Sequence, residues 1–114
     1  MAETLRPSLF IAVLLYEARA KDGSQAPLYQ ESFVLLRATS EDEARKLAAA
    51  HGQQQQTSYT SAEGATIQWS LKHVVDVSPA LDEELEHGAE LYARHFRNYD
   101  AYHSFEPLLG GSVD

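Results

Sequence analysis

The chain has 114 residues, no cysteine and a net charge of −8, from 17 acidic and 9 basic side chains. This length fits one domain, and a hydrophobic content of 44% is enough for one ordinary core. The absence of cysteine excludes a disulfide framework, a thiolate metal site and a cysteine nucleophile, and it fits a reducing cytosol. The negative charge disfavours nucleic acids and anionic membranes, and no segment approaches the roughly 20 apolar residues of a membrane helix. We therefore expect a cytoplasmic protein that binds neither nucleic acid nor membrane.

The first third of the chain predicts a β-hairpin that follows a disordered leader at residues 1–8. Two apolar stretches, 10–19 (FIAVLLYEAR) and 29–38 (YQESFVLLRA), have the composition of strands. The turn-forming residues between them, which include Asp22 and Gly23, predict that the strands pair antiparallel.

A helix is predicted immediately after the hairpin. Ser40 and Glu43 have the spacing of a capping box, in which the two residues hydrogen-bond each other's backbone at the helix start. Helical spacing then places four residues on one face, and Gly52 suits the C-terminal end. Those four residues are Ala44, Leu47, Ala48 and His51. The glutamines that follow are expected to form a solvated helix end leading into a mobile loop.

The second half predicts two further strands. The third covers 65–77 and ends before Pro79, which cannot donate to a sheet ladder. A short acidic helical turn at 81–87 follows, and the fourth strand covers 89–97. A tyrosine-rich tail completes one domain at 9–109, before a frayed end at 110–114. The fold class is α+β: a mostly antiparallel four-stranded sheet in the order β-β-α-β-β, with the helix on one face.

Four motifs in this order resemble the DUF4288 family, a small bacterial domain of unknown function. They are an apolar strand ending in Leu15-Tyr16-Glu17; Glu31 followed by Ala38, Ser40, Glu43 and Ala44; a strand from Trp69 to Asp76; and Glu90, Tyr92 and Arg94. The resemblance spans roughly residues 9–105. It implies a fold and no particular chemistry.

Several kinds of site are missing from the sequence. The chain has no glycine-rich nucleotide loop and no nucleophile elbow. Its histidines, at positions 51, 73, 87, 95 and 103, lack a paired metal-ligand spacing. We therefore expect neither a cofactor nor a metal, which leaves proton transfer as the available chemistry.

Two glutamates are the candidate acid and base. A simple hairpin register places Glu17 opposite Glu31, beside Leu15 and Phe33 on one face of the sheet. Repulsion and apolar neighbours would raise the pKa of at least one carboxyl, making it useful near neutrality. The alternative is that both are solvated or paired with Arg19, Arg37 or Arg94.

The hairpin is apolar on both faces, and one helix covers only one of them. The other face needs the tail, a second copy of the chain or a ligand, so a homodimer is expected. Pocket residues predicted there are Tyr92 and His95 as catalytic helpers, with Trp69, Tyr99, Tyr102 and His103 binding substrate. The alternative is that the tail aromatics only form core or interface.

Two functions remain open at this point. The first is a cofactor-independent enzyme performing dehydration, conjugate addition, cyclisation or isomerisation of a small organic substrate, with Glu17 and Glu31 as acid and base. The second is a non-catalytic binder, of the immunity or antitoxin type, that caps a basic protein partner. Its binding surface would be the acidic residues Asp82, Glu83, Glu84 and Glu86.

Overall fold

The structure, a computed structural model, describes residues 6–106 as a four-stranded antiparallel sheet with two helices. The elements are β1 (Ser8–Ala20), β2 (Leu28–Ala38), α1 (Glu41–Gln54), β3 (Thr57–Thr60), β4 (Thr66–Pro79) and α2 (Tyr99–Phe105). The strand order is β2-β1-β4-β3. The predicted α+β class and the β-β-α-β-β order are confirmed. The predicted frayed end at 110–114, and most of the predicted leader, lie outside the described residues.

The central strand β1 is buried on both of its faces. On one face, Phe10, Ala12, Leu14 and Tyr16 pack with α1, and we call this the helix face. On the opposite face, which we call the second face, Leu9 and Ile11 form a smaller cluster with Ala80. The predicted need for cover on both faces is therefore met from two different parts of the chain.

The capping box starts α1 as predicted. The Ser40 hydroxyl accepts a hydrogen bond from the Glu43 amide at 3.1 Å, and the Glu43 carboxylate accepts one from the Thr39 amide at 2.7 Å. The buried stripe of α1 consists of Ala44, Ala48 and Gly52, whereas Leu47, predicted to share this face, is 40% exposed. Small residues at every fourth position allow the helix to lie close to the sheet.

The C-terminal end of α1 is fixed to β4. A Cβ atom added at Gly52 would lie 2.8 Å from a Leu71 methyl carbon, so the helix touches the strand here. The Gln56 side chain also accepts a hydrogen bond from the Leu71 amide at 3.0 Å. This end of the glutamine run is therefore also a structural contact. The four glutamines are exposed, as predicted for a solvated helix end, whereas a strand follows them in place of the predicted mobile loop.

The fourth strand of the sheet was predicted in the wrong place. Residues 57–60, expected to be loop, form β3 and pair with β4 through a turn at Gly64, where φ is +87°. The predicted strand at 89–97 is an extended segment that joins no sheet, and the acidic residues before it form a non-helical loop. An alternation of apolar residues indicates that one side of a segment is packed, but it does not show that the backbone pairs with another strand. This segment packs across the second face of the sheet.

The β1–β2 register differs from the predicted one by two residues. Glu17 lies opposite Tyr29, and Glu31 lies opposite Leu15. A local turn ends β1, because the Gly23 amide donates to the Ala20 carbonyl at 3.0 Å. A shift of two residues preserves the faces, so Glu17 and Glu31 share the second face but do not oppose each other.

Two irregularities in β4 add side chains to the second face. The pairing with β1 shifts between Val13 and Leu14 and again between Leu15 and Tyr16, leaving Val75 and Lys72 as extra residues. Such bulges bend the strand and redirect side chains.

A hydrogen bond between Tyr92 and Asp76 holds the segment after β4 on the second face. The Tyr92 hydroxyl donates to Asp76 Oδ2 at 2.6 Å, and its ring packs against Leu9 and Ile11 and lies 5.8 Å from Phe33. The bond to Tyr92 is the main cause that holds the pKa of Asp76 below its ordinary value. Burial and the same bond raise the pKa of Tyr92 to about 12.

We predict that Tyr92→Phe lowers the free energy of unfolding by about 2 kcal/mol at pH 7, because Asp76 loses a hydrogen bond to its charged carboxylate. The contribution of Tyr92 is complete below its ordinary pKa of 10.0 and is lost as pH rises towards about 12. The difference between wild type and variant should therefore shrink between pH 9 and pH 11 in urea unfolding. Tyr59→Phe, at an exposed position of β3, is the control and should change little. An equal difference at both pH values would contradict the assignment.

Candidate functional site

A cleft of about 550 Å³ lies between the second face of the sheet and the C-terminal segment, and we call it the second-face cleft. Three strands and the chain after β4 contribute to its lining, which consists of Leu15, Tyr29, Glu31, Val75, Arg94, Phe105 and Glu106. Cavities of this size accommodate small organic molecules.

The sheet supplies the floor of the cleft. Leu15 of β1 and Glu31 of β2 are directly paired in the ladder, so their side chains stand together on the second face. Val75, the extra residue of a β4 bulge, reaches the same floor. The floor is therefore apolar apart from a carboxylate and the Tyr29 hydroxyl.

The C-terminal segment supplies the wall. Arg94 follows Tyr92, which is anchored on Asp76, by two residues. Phe105 and Glu106 end α2, whose start is capped by the Asn98 side chain accepting from the Ala101 amide at 3.0 Å. The wall thus places a guanidinium and a carboxylate across from Glu31. The positive charge of Arg94 lowers the pKa of Tyr92, and the negative charge of Glu31 raises it. Both effects are smaller than those of burial and of Asp76. The two charges therefore influence Tyr92, which lies at the base of this wall.

Glu17 lies outside the lining of the cleft and is neutralised by cations. Its side chain is 10% exposed, with Oε2 lying 2.9 Å from Arg19 Nε and Oε1 3.8 Å from Lys72 Nζ. Burial alone would raise its pKa, but the Tyr29 hydroxyl and these cations lower it below its ordinary value. The prediction that Glu17 is a raised carboxyl opposing Glu31 is therefore wrong, and the alternative pairing with Arg19 is found.

The two predicted helpers do not join Glu31 in the cleft lining. The Tyr92 hydroxyl donates its proton to Asp76, and its pKa is raised to about 12 by burial and by this bond, so it is a poor acid or base near neutral pH. His95 lines an adjoining depression beside Phe96 and Tyr102, which shares Arg94 and Phe105 with the cleft.

The predicted substrate-binding residues are dispersed. Trp69 lies on the helix face, where it packs against the main core. Tyr102 stacks on Phe96 with ring centroids 4.8 Å apart, and Tyr99 lies 5.9 Å from His103 within α2. Of the eight predicted site residues, only Glu31 lines the second-face cleft.

Sequence reasoning gave Arg94 only the role of a salt-bridge partner, and it assigned Tyr29, Phe105 and Glu106 to no site. The pairing of Tyr29 and Glu31 with β1 depends on a register that the hydrophobic pattern does not determine. Arg94 was placed in a predicted fourth strand, so its position across the second face had no signal in the sequence.

Within residues 6–106, no three histidine, aspartate or glutamate side chains lie close enough together to hold a metal ion. In the same range, no helix has the length and apolar character needed to cross a membrane.

Comparisons with known proteins give one result. No curated protein and no solved structure matches the chain significantly. The family model described as a domain of unknown function, DUF4288, matches residues 9–93. This range contains the sheet, α1 and the Asp76–Tyr92 pair, and it ends one residue before Arg94. Since the match covers well over half of the chain, the protein belongs to the DUF4288 family.

Proposed function

We propose that the protein is a cofactor-independent enzyme that transfers a proton on a small organic acid bound in the second-face cleft. The observation that supports it is the composition of this cleft, in which an apolar floor carries Glu31 and the facing wall carries Arg94. The reaction belongs to the class of isomerisation, dehydration, conjugate addition or cyclisation, all of which begin by moving a proton.

Arg94 is the substrate-anchoring residue in this proposal. A guanidinium binds a carboxylate through two parallel hydrogen bonds, which fixes both the position and the orientation of the substrate. The apolar body of the substrate then lies over Leu15, Val75 and Phe105. A largely apolar cleft with a few convergent polar groups is typical of small-molecule sites.

Glu31 is the proton-transfer residue, replacing the Glu17–Glu31 pair predicted from sequence. Its carboxylate takes a proton from carbon beside the substrate carbonyl, and the resulting enolate receives a proton at another atom. Substrate binding would exclude water from the cleft and hold the reacting carbon beside the Glu31 carboxylate.

We predict that Glu31→Gln abolishes proton transfer without abolishing binding. Phenylpyruvate is a suitable probe because it combines an apolar ring, a carboxylate and an acidic CH₂ group. In D₂O, wild-type protein should accelerate exchange of that CH₂, and Glu31→Gln should slow the catalysed rate about 100-fold or more. Arg94→Gln should instead weaken binding about tenfold or more, measured by NMR titration.

The control for this experiment is Glu63→Gln, at an exposed position outside the cleft lining. It removes the same charge and should exchange phenylpyruvate as fast as wild type. If Glu31→Gln binds the probe and also exchanges it at the wild-type rate, Glu31 is not the proton-transfer residue. If wild type neither binds nor exchanges phenylpyruvate, the proposed substrate class is wrong.

We also propose a homodimer formed through the uncovered part of the second face. Phe33 and Leu35 on the edge strand β2 remain 62% and 42% exposed, although the Tyr92 ring of the C-terminal segment lies 5.8 Å from Phe33. Light scattering at micromolar concentration should give twice the 12.7 kDa chain mass. Phe33→Lys should reduce it to one chain mass by placing a charge in the interface, while Leu28→Lys at the start of β2 serves as a charge-matched control. A wild-type protein of single-chain mass would contradict the dimer.

The alternative function, capping of a basic protein, depends on the acidic loop between β4 and the C-terminal segment. This loop is closed by hydrogen bonds, because Asp82 Oδ2 accepts from the Glu90 amide at 2.8 Å and the Asp82 amide donates to the Glu90 carbonyl. Asp82 is therefore structural, and a basic partner would meet the exposed carboxylates of Glu83, Glu84 and Glu86.

We expect a binder of this kind to lose association rate when these charges are removed. Changing Glu83, Glu84 and Glu86 together to glutamine should slow association with a partner recovered from the native host and flatten its salt dependence. The control is the conversion of Glu41, Asp42 and Glu63 to their amides, because it changes the net charge by the same amount at positions outside the loop. Recovery of no basic protein by the wild-type chain would contradict this alternative.

A further inference from the structure

A second cavity, of about 240 Å³, lies on the helix face of the sheet, on the opposite side from the second-face cleft. We call it the tryptophan pocket. Its lining comes from β1, β2, β4 and the C-terminal end of α1, and consists of Tyr16, Gln30, Ser32, Val34, His51, Gln55 and Trp69. No step of the proposed proton transfer uses any of these residues.

The pocket exists because the strands are longer than the helix that covers them. The sequence places α1 over Ala38 and Val77, and the helix ends at Gln54. Beyond that end, the helix face of β1 and β2 continues towards the hairpin, where Tyr16 and Gln30 are paired in the ladder. The uncovered part of the face is the floor of the pocket.

The wall contributed by α1 is held in position. Gly52 brings the helix into contact with Leu71, and the Gln56 side chain accepts from the Leu71 amide. His51 comes directly before Gly52, Gln55 comes three residues after it, and both line the pocket. Their backbone is therefore fixed relative to the floor before any ligand arrives.

The lining contains no aspartate, glutamate, lysine or arginine. This follows from a pattern in the two long strands, because every charged residue of β1 and β2 lies on the second face. These are Glu17, Arg19, Glu31 and Arg37. Burial also raises the pKa of Tyr16, which keeps its hydroxyl protonated. An ion entering this pocket would lose hydration without meeting an opposite charge, so an uncharged ligand is favoured.

Most polar groups of the lining share a second property, since they both donate and accept hydrogen bonds. This holds for the two glutamine amides and for the hydroxyls of Tyr16 and Ser32. Gln30 already donates to the Ser32 hydroxyl at 3.0 Å, which leaves the amide oxygen of Gln30 to accept from a ligand. Hydroxyl groups, which also donate and accept, match such a lining better than fixed donors or acceptors do.

We propose that the tryptophan pocket binds one uncharged, hydroxyl-rich ring, of the monosaccharide class, with Trp69 and Tyr16 contacting its apolar C–H surface and Gln30 and Gln55 contacting its hydroxyls. The volume of about 240 Å³ fits a single ring. The site is independent of the second-face cleft, so its occupancy does not depend on whether that cleft is catalytic.

Trp69 makes this proposal directly measurable, because it is the only tryptophan in the chain. Titration with the methyl glycosides of glucose, galactose and mannose should change its fluorescence in a saturable manner for at least one sugar. The charged relatives glucosamine and glucuronate should bind at least about tenfold more weakly, because the lining offers neither a counter-charge nor bulk hydration.

Two substitutions locate the binding. Gln30→Leu and Gln55→Ala should each weaken it about fivefold or more, by removing hydrogen bonds. The matched control is Gln54→Ala, one residue from Gln55 on the same helix end but outside the lining, and it should bind like wild type. Melting curves identify any variant that fails to fold. If one of the two variants fails, the sugar affinity of the other one tests the proposal.

The proposal is overturned if no neutral sugar produces a saturable change, or if Gln54→Ala weakens binding as much as Gln55→Ala does. It is also overturned if adenine or cytosine produces the change and the sugars do not, since the ligand would then be a planar heterocycle.

Discussion

The structure depends on the burial of β1 on both of its faces. Leu14 and Val13, adjacent residues that point to opposite faces, are both almost completely buried. A strand of this kind requires a covering layer on each face, because either row left in water would forfeit the stabilisation that builds the core. α1 supplies one layer. The C-terminal segment, anchored by the Asp76–Tyr92 hydrogen bond, supplies the other.

The two candidate sites lie on opposite faces of the hairpin and differ in what covers them. α1 has 14 residues at about 1.5 Å each and β1 has 13 at about 3.3 Å each, so the helix ends before the strand does and leaves the tryptophan pocket open. On the second face, the C-terminal segment forms one wall of the cleft. Which strand residues point to each face decides which side chains line each cavity.

Sequence patterns predicted the hairpin, the helix with its capping box and the fold class, because each rests on local chemistry. Ser40 and Glu43 are three residues apart, and the alternation in β1 is visible without knowing its partners. The β1–β2 register was not predictable in the same way. A two-residue shift leaves every side chain on its original face, so the hydrophobic pattern does not distinguish the two registers.

The two strands assigned differently show the same limit. β3 is short and exposed, so burial imposes no alternation on it, and its pairing is stabilised by the turn at Gly64. The segment at 89–97 alternates because Tyr92 packs inward, although its backbone joins no sheet. Site residues contributed by that segment depend on long-range packing, which a single sequence does not encode in any local pattern.

The register also determines which glutamate is free for chemistry. Opposed carboxylates would have repelled each other and required a shared proton or a cation between them. Instead, Glu17 meets the Tyr29 hydroxyl across the strands and is neutralised by Arg19 and Lys72, and burial is not enough to raise its pKa. Lys72 reaches it because a β4 bulge supplies an extra residue there.

Glu31, displaced to a position opposite Leu15, has apolar neighbours and no ion pair among the described residues. It stands one residue from Gln30, whose side chain lines the tryptophan pocket on the other side of the sheet. Alternation along β2 thus separates a charged site from an uncharged one across a single layer of backbone. The same alternation keeps the Glu31 carboxylate away from the uncharged pocket, which allows a sheet only one strand layer thick to support two chemically different surfaces.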